Sequence, residues 1–147
     1  MSYRRDYFQN QMDQMARVLG KLLADLLGLK SEGKILEADE LTIEVFSKDI
    51  GFDFEEIKNT PSEQLLDFLI EKKQFSDEHI QHVANILFEL GMEKDPSTGS
   101  GQAAKESKRE LYNRAYVLYE YLNSVGTTFS FDFLLKMNRI KDELTIE

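Results

Sequence analysis

His79 and His82 are the only histidines of the chain, set i, i+3 beside Asp77 and Glu78. Residues three apart share a helical face, and imidazole nitrogens with carboxylates are ligands for zinc and related ions. Such a site needs three or four converging ligands, so Glu89 or a distant carboxylate would have to complete it. The helical projection argues otherwise. His82 falls with Glu78, Gln81, Asn85 and Glu89 on the polar side, and His79 on the flank of the apolar side. A packed or solvated role is therefore the first reading. A metal-binding helical bundle, or an enzyme using His79, His82 and nearby carboxylates, is the alternative.

Asp53, Glu55 and Glu56 could hold a cation or act as a general acid and base, given an enclosing pocket and tuned pKa values. Phe52 and Phe54 flank Asp53, and an acidic loop pinned by two phenylalanines is the preferred reading. Gly99-Ser100-Gly101 lacks the preceding strand and the following Lys-Ser/Thr pair of a phosphate loop. No nucleophile elbow is present, and the absence of cysteine removes thiolate chemistry and Cys-based zinc sites. No residue is assigned a catalytic role and no cofactor is expected.

Tyr112, Tyr116 and Tyr119 recur at i, i+4, i+7, beside a leucine stripe rather than on it. A tyrosine has an apolar body and a wet hydroxyl, which suits an interface. With Tyr7 they are the candidate partner contacts; completing the core is the competing role.

The elements that must position these residues are helices. Phe8, Met12, Met15, Leu19, Leu22, Leu26 and Leu29 are spaced 4, 3, 4, 3, 4, 3, the period of one buried helical face. This predicts a first helix from about Arg4 to Leu29, a turn at Gly33 and a second helix from about Lys34 to Lys48. Ile35, Leu36, Ala38, Leu41, Val45 and Phe46 are its apolar positions. Thr60-Pro61-Ser62-Glu63 reads as a capping box opening a third helix. Ser76-Asp77-Glu78 opens a fourth, with Ile80, Val83, Ala84, Leu87 and Phe88 as its apolar face. A fifth runs from about Ala103 to Ser124, ended by Gly126, and Ser130 caps a sixth. Asp95 to about Gln102 is a small, polar, flexible linker within a single domain spanning 1–147.

The net charge of −9 is uneven. Residues 1–34 carry six Lys/Arg against four Asp/Glu, residues 35–98 five against sixteen, and residues 99–147 seven against seven. The acidic middle argues against a general nucleic-acid binder, which presents a basic stripe to phosphates. It reads as a self-repelling solvated surface, or more sharply as a face for a basic partner. No stretch approaches the roughly 20 apolar residues of a membrane span, and the opening lacks the apolar run of a signal peptide. A cytoplasmic protein is expected.

Gly33 in a turn, Ala38 five positions on, and Leu22 and Leu29 upstream resemble a tetratricopeptide unit. Gly126 with Leu118 and Leu122 resembles a second, with Phe131 where a small residue is usual. The tryptophan of that motif is absent, and the two turns lie 93 residues apart, no multiple of the period of about 34 residues. Asp6-Tyr7, Gln14, Ala16, Leu19, Glu32-Gly33-Lys34 and Glu37-Ala38 are also similar to a family of small bacterial helical proteins of unknown function. The likeness continues through Glu63-Gln64-Leu65-Leu66 and Ala115-Tyr116. It implies tetratricopeptide-like packing and brings no catalytic residues.

The expected fold is all-α: about six helices in three antiparallel hairpins, as a tetratricopeptide-like α-α superhelix or an irregular bundle. The expected function is a non-catalytic protein-interaction or scaffold module for an unidentified protein partner. The long first helix, with its wide apolar face and adaptable Met12 and Met15, suits pairing into a homodimer.

Overall fold

The computed structural model describes residues 2–92, 102–125 and 131–145, with side chains for residues 9–34, 36–92, 106–125 and 131–144. These form seven α-helices: α1 Ser2–Ser31, α2 Ile35–Val45, α3 Glu55–Asn59, α4 Ser62–Asp67, α5 Asp77–Met92, α6 Gln102–Val125 and α7 Phe131–Thr145. The fold is all-α. Two elements widen as they end: α2 runs into a π turn at Phe46–Ile50 and α4 into another at Phe68–Lys72. Most of the expected 95–102 linker, the Gly126 turn and the Ser130 cap lie outside the described residues.

The middle of the first stripe folds as its period requires, while Met12, Met15 and Leu29 are half-buried. Ala16, Leu19, Leu22 and Leu26 are buried on one face of α1. The helix stops where Gly33 adopts φ 76°, a left-handed conformation that costs glycine little. Lys34 N–H donates to the Leu29 carbonyl at 2.9 Å and Gly33 N–H to that of Lys30 at 3.0 Å. This double closure satisfies carbonyls that the helix leaves unpaired.

The capping box expected at Thr60 is not formed. Pro61 holds the position before α4, which has no side-chain cap. The Thr60 hydroxyl turns back instead, donating to the Glu56 carbonyl at 2.6 Å. A helix of five residues has unpaired carbonyls close at hand, and α3 uses the hydroxyl at its own end. The cap expected at Ser76 does form, with an unexpected partner. The His79 amide donates to Ser76 Oγ at 3.4 Å, and the Ser76 amide donates to His79 Nδ1 at 2.9 Å. A histidine here takes the place that Glu or Gln holds in the usual reciprocal cap.

Side-chain pairings fix the directions of packing. Met12, Gly20 and Lys30 of α1 meet His79, His82 and Glu89 of α5 in that order, so α1 and α5 run parallel. Asn85 meets Tyr119 and Gly91 meets Tyr112, so α5 and α6 are antiparallel. Asn123 reaches Met137 and Lys108 reaches Glu143, so α6 and α7 are antiparallel as well. The packing order is α2, α1, α5, α6, α7, with α4 chiefly against α6. The outer pairs α1–α2 and α6–α7 are two of the three expected hairpins; the middle one is not formed, because α4 packs chiefly on α6 rather than on α5. Between the outer pairs α5 spans α1 and α6, and its residues 83–88 are all buried.

Two further features lock the short middle elements. Phe46 lies 5.7 Å from Phe52 and 4.9 Å from Phe54, and Phe52 lies 6.1 Å from both Phe68 and Phe75 (ring centroids), with Lys73 Nζ 4.2 Å above the Phe52 ring. Arg114 of α6 is buried. Its Nε–H is shared between the carbonyls of Ile57 at 3.1 Å and Thr60 at 3.0 Å, and its Nη1 donates to the Glu110 carbonyl at 3.0 Å.

Candidate interaction surface

The tyrosine stripe divides. Tyr112 and Tyr119 are fully buried, which corrects their placement as partner contacts. The side of α6 next to the leucines is covered by α5 and α7, so these rings finish the core. Tyr112 stacks on Phe88 at 5.6 Å, and Tyr119 lies 5.3 Å from Phe133. Tyr116 is half-buried beneath Lys141, whose Nζ lies 5.6 Å from the ring centroid. The side chain of Tyr7 lies outside the described residues.

The two buried hydroxyls differ. Tyr119 donates to Asn85 Oδ1 at 2.5 Å, and Lys136 Nζ donates to the same oxygen at 2.9 Å. The Tyr112 hydroxyl has no partner, and burial pushes its pKa up to about 12. Burial raises that of Tyr119 further. Tyr112→Phe is therefore expected to hold or raise stability, by up to about 1 kcal/mol, whereas Tyr119→Phe loses about 1–2 kcal/mol. Urea unfolding of both variants checks this; equal losses would mean that the Tyr112 hydroxyl is paired in solution.

His79 is buried, and both ring nitrogens are committed. Nδ1 accepts from the Ser76 amide, which leaves Nε2 as the donor to the Met12 carbonyl at 2.8 Å. No lone pair is left for a metal. His82 stands against Gly20, its ring Cε1 3.5 Å from where a Cβ there would sit. Among the described residues no three His, Asp or Glu side chains converge in a metal-binding group. The two histidines thus serve different neighbours rather than one ion. Asp53 is exposed on the loop before α3, Glu55 and Glu56 are exposed in the first turn of α3, and Asp53 Oδ1 accepts from the Glu55 amide at 3.0 Å.

The His82 Nδ1 is buried without a partner. Burial lowers its pKa, outweighing the opposing pull of Glu78. The folded state then binds fewer protons than the unfolded chain below the ordinary histidine range, and stability falls as pH drops from about 6.5 toward the folded value. His82→Gln is expected to shrink the loss of urea midpoint between about pH 7.5 and about pH 5.5. An unchanged or larger loss in the variant would refute this assignment.

One open surface lies at the other end of α1. The antiparallel α1 and α2 enclose a groove of about 550 Å³. Its floor is Leu29 and Leu41, and Ala24 and Gly28 give it depth because neither has a side chain beyond Cβ. Asp25 of α1 and Glu32 just past its end stand on one wall, and Glu37, Glu40 and Glu44 on the α2 wall. Lys21 pairs with Asp25 at 3.1 Å, Lys34 with Glu32 at 3.4 Å and Lys48 with Glu44 at 2.9 Å. The Glu44 hydrogen bond raises the Lys48 pKa. Glu37 and Glu40 have no ion pair among the described residues.

Apolar side chains are also exposed on the two helices that form the groove, outside its lining. Leu36 is 77% exposed and Ile43 42%, seven apart on the solvent face of α2, and Leu27 of α1 is 46% exposed. The expectation that Leu36 belongs to the buried face of α2 is corrected: it sits about 200° around the helix from Ala38, which is the residue α1 covers. The sequence reading had not singled out Leu36 with Ile43. Their signal was a spacing of seven out of phase with Ala38, Thr42 and Val45. No described helix is long and apolar enough to cross a membrane. The chain matches no protein-family model, no curated protein and no solved structure.

Proposed function

We propose that the protein is a cytoplasmic, non-catalytic interaction module that engages a protein partner through the α1–α2 groove. The observation that carries this reading is the groove itself, open and acid-walled, with Leu36 and Ile43 exposed beside it. Exposed apolar side chains near a concavity can serve as anchors around which an interface forms. The resemblance of the sequence to small bacterial helical proteins with tetratricopeptide-like hairpins accords with this reading. Metal chemistry has less support, since His79 is spent on the α5 cap and on α1.

The test is affinity capture from native-cell lysate with the wild-type chain and a Leu36→Asp/Ile43→Asp variant. Both positions face solvent, so the variant is expected to keep its fold, checked by circular dichroism. A stoichiometric protein held by the wild type and lost from the variant is the expected result. Retention of nothing, or of the same partner by both, would overturn the reading. Light scattering on both proteins tests the homodimer: a dimer dissociated by the same changes would make a second copy the partner.

A further inference from the structure

We propose that the α1–α2 groove takes a basic, amphipathic helical segment of its partner, its apolar stripe on Leu29 and Leu41 and its lysines and arginines against the carboxylate walls. This rests on the interaction reading above and adds the chemistry of the occupant.

Spacing is the first argument. Asp25 and Glu32 are seven residues apart on one wall, and Glu37, Glu40 and Glu44 span seven on the other. Seven residues are about 10.5 Å, two helical turns. A partner helix repeats its own faces on that pitch, so cations at i, i+3 or i+4 and i+7 on both flanks of an apolar stripe meet both walls.

Shape is the second. A Cβ placed on Gly28 would meet nothing within 4 Å, so there is open space above the floor at the middle of the groove. Leu29 and Leu41 below it give the groove an apolar floor that a bare polycation cannot use. Helix-in-groove recognition consists of such an apolar stripe seated between two walls.

Charge selects among the occupants. Glu37 and Glu40 lack cations, and the lysines already paired with Asp25, Glu32 and Glu44 are exposed. Exposed pairs of this kind contribute little and exchange readily for an incoming cation. A nucleic acid or an anionic membrane surface carries the same sign as the walls and is repelled. A single metal ion finds no three converging ligands among the described residues.

The test uses a labelled synthetic peptide of about 14 residues, four helical turns, with a leucine stripe flanked by lysines. Comparators are a scrambled peptide of the same composition, a glutamate-for-lysine version and spermine. Each is titrated into wild type, Glu37→Lys/Glu40→Lys and Asp67→Lys/Glu71→Lys. The last variant changes charge equally on exposed positions of α4 and its π turn. The amphipathic basic peptide is expected to bind wild type with salt-sensitive affinity, to lose about tenfold or more in Glu37→Lys/Glu40→Lys, and to stay within about threefold in Asp67→Lys/Glu71→Lys.

Equal binding of the scrambled peptide or of spermine would show attraction by charge alone and overturn the proposal, as would equal losses in the two variants. A lysate partner that depends on Leu36 and Ile43, with no peptide binding, would leave the interaction reading standing and remove the basic helix. Failure of both experiments removes both.

Discussion

Replacing Arg114 by methionine is expected to lower the unfolding free energy by about 3 kcal/mol. The methionine fills the volume of the stem, so the loss isolates the guanidinium. That group donates to the carbonyls of Ile57 and Thr60, which close α3 and lead into α4. Without it the half-buried Thr60 oxygen loses its donor and the buried Ile57 oxygen keeps only the Thr60 amide at 3.3 Å, and a group left unsatisfied costs about 1–3 kcal/mol. Burial lowers the Arg114 pKa, yet a guanidinium remains charged at any working pH. Arg114→Lys keeps a charge but loses the planar fork, and is expected to recover only part of the loss. Urea unfolding gives the magnitude, and hydrogen exchange gives the place: amides of residues 55–67 should exchange faster than those of α5. A loss under about 1 kcal/mol, or uniform acceleration of exchange, would refute this account.

Gly91→Ala is the second large effect, against the direction that helix propensity alone predicts. Alanine favours a helix over glycine by about 1 kcal/mol. A Cβ at Gly91, however, would lie 2.8 Å from Cδ1 and Cε1 of Tyr112 and 3.5 Å from Cβ of Leu111. Neither neighbour can withdraw freely, because Tyr112 is fully buried and stacked on Phe88. Overpacking of this kind costs about 1–3 kcal/mol, and a net loss of about 2 kcal/mol is expected. The partner variant Tyr112→Leu opens space on the same side. In a double-mutant cycle the combined loss should fall short of the sum by about 1 kcal/mol or more. Strict additivity would mean that the two residues do not meet.

The sequence carried most of the helical content and little of the surface. On α1, the spacing of Leu19, Leu22 and Leu26 predicts a buried stripe and they are buried, in the seam that α2 and α5 close against that helix. The same logic failed on α6. Tyr112 and Tyr119 lie outside the leucine stripe, yet α5 and α7 together cover a wider arc than one neighbour would. How many helices surround a given helix is a property of the whole chain and leaves no mark within one segment. His79 shows a third case. Its place at the flank of an apolar face was legible, but its bond to the Met12 carbonyl joins residues 67 apart in sequence. The groove was half visible: the acidic excess of residues 35–98 stood out, but its concavity depends on Ala24 and Gly28 of another helix.

The parallel course of α1 and α5 has a consequence for how the chain is made. A parallel pair cannot be joined by a tight turn, so everything from Glu32 to Ser76 is spent returning to the level where α5 starts. Synthesis proceeds from the N-terminus. Leu19, Leu22 and Leu26 therefore lack the cover of α5 until residues 77–92 have left the ribosome, with only α2 at hand meanwhile. Residues 35–98, the stretch made while this face is bare, carry five cations against sixteen carboxylates. Neighbouring half-made chains thus repel one another during the interval in which their leucines would otherwise adhere. The acidity that walls the groove in the finished protein also acts as a guard on the nascent one.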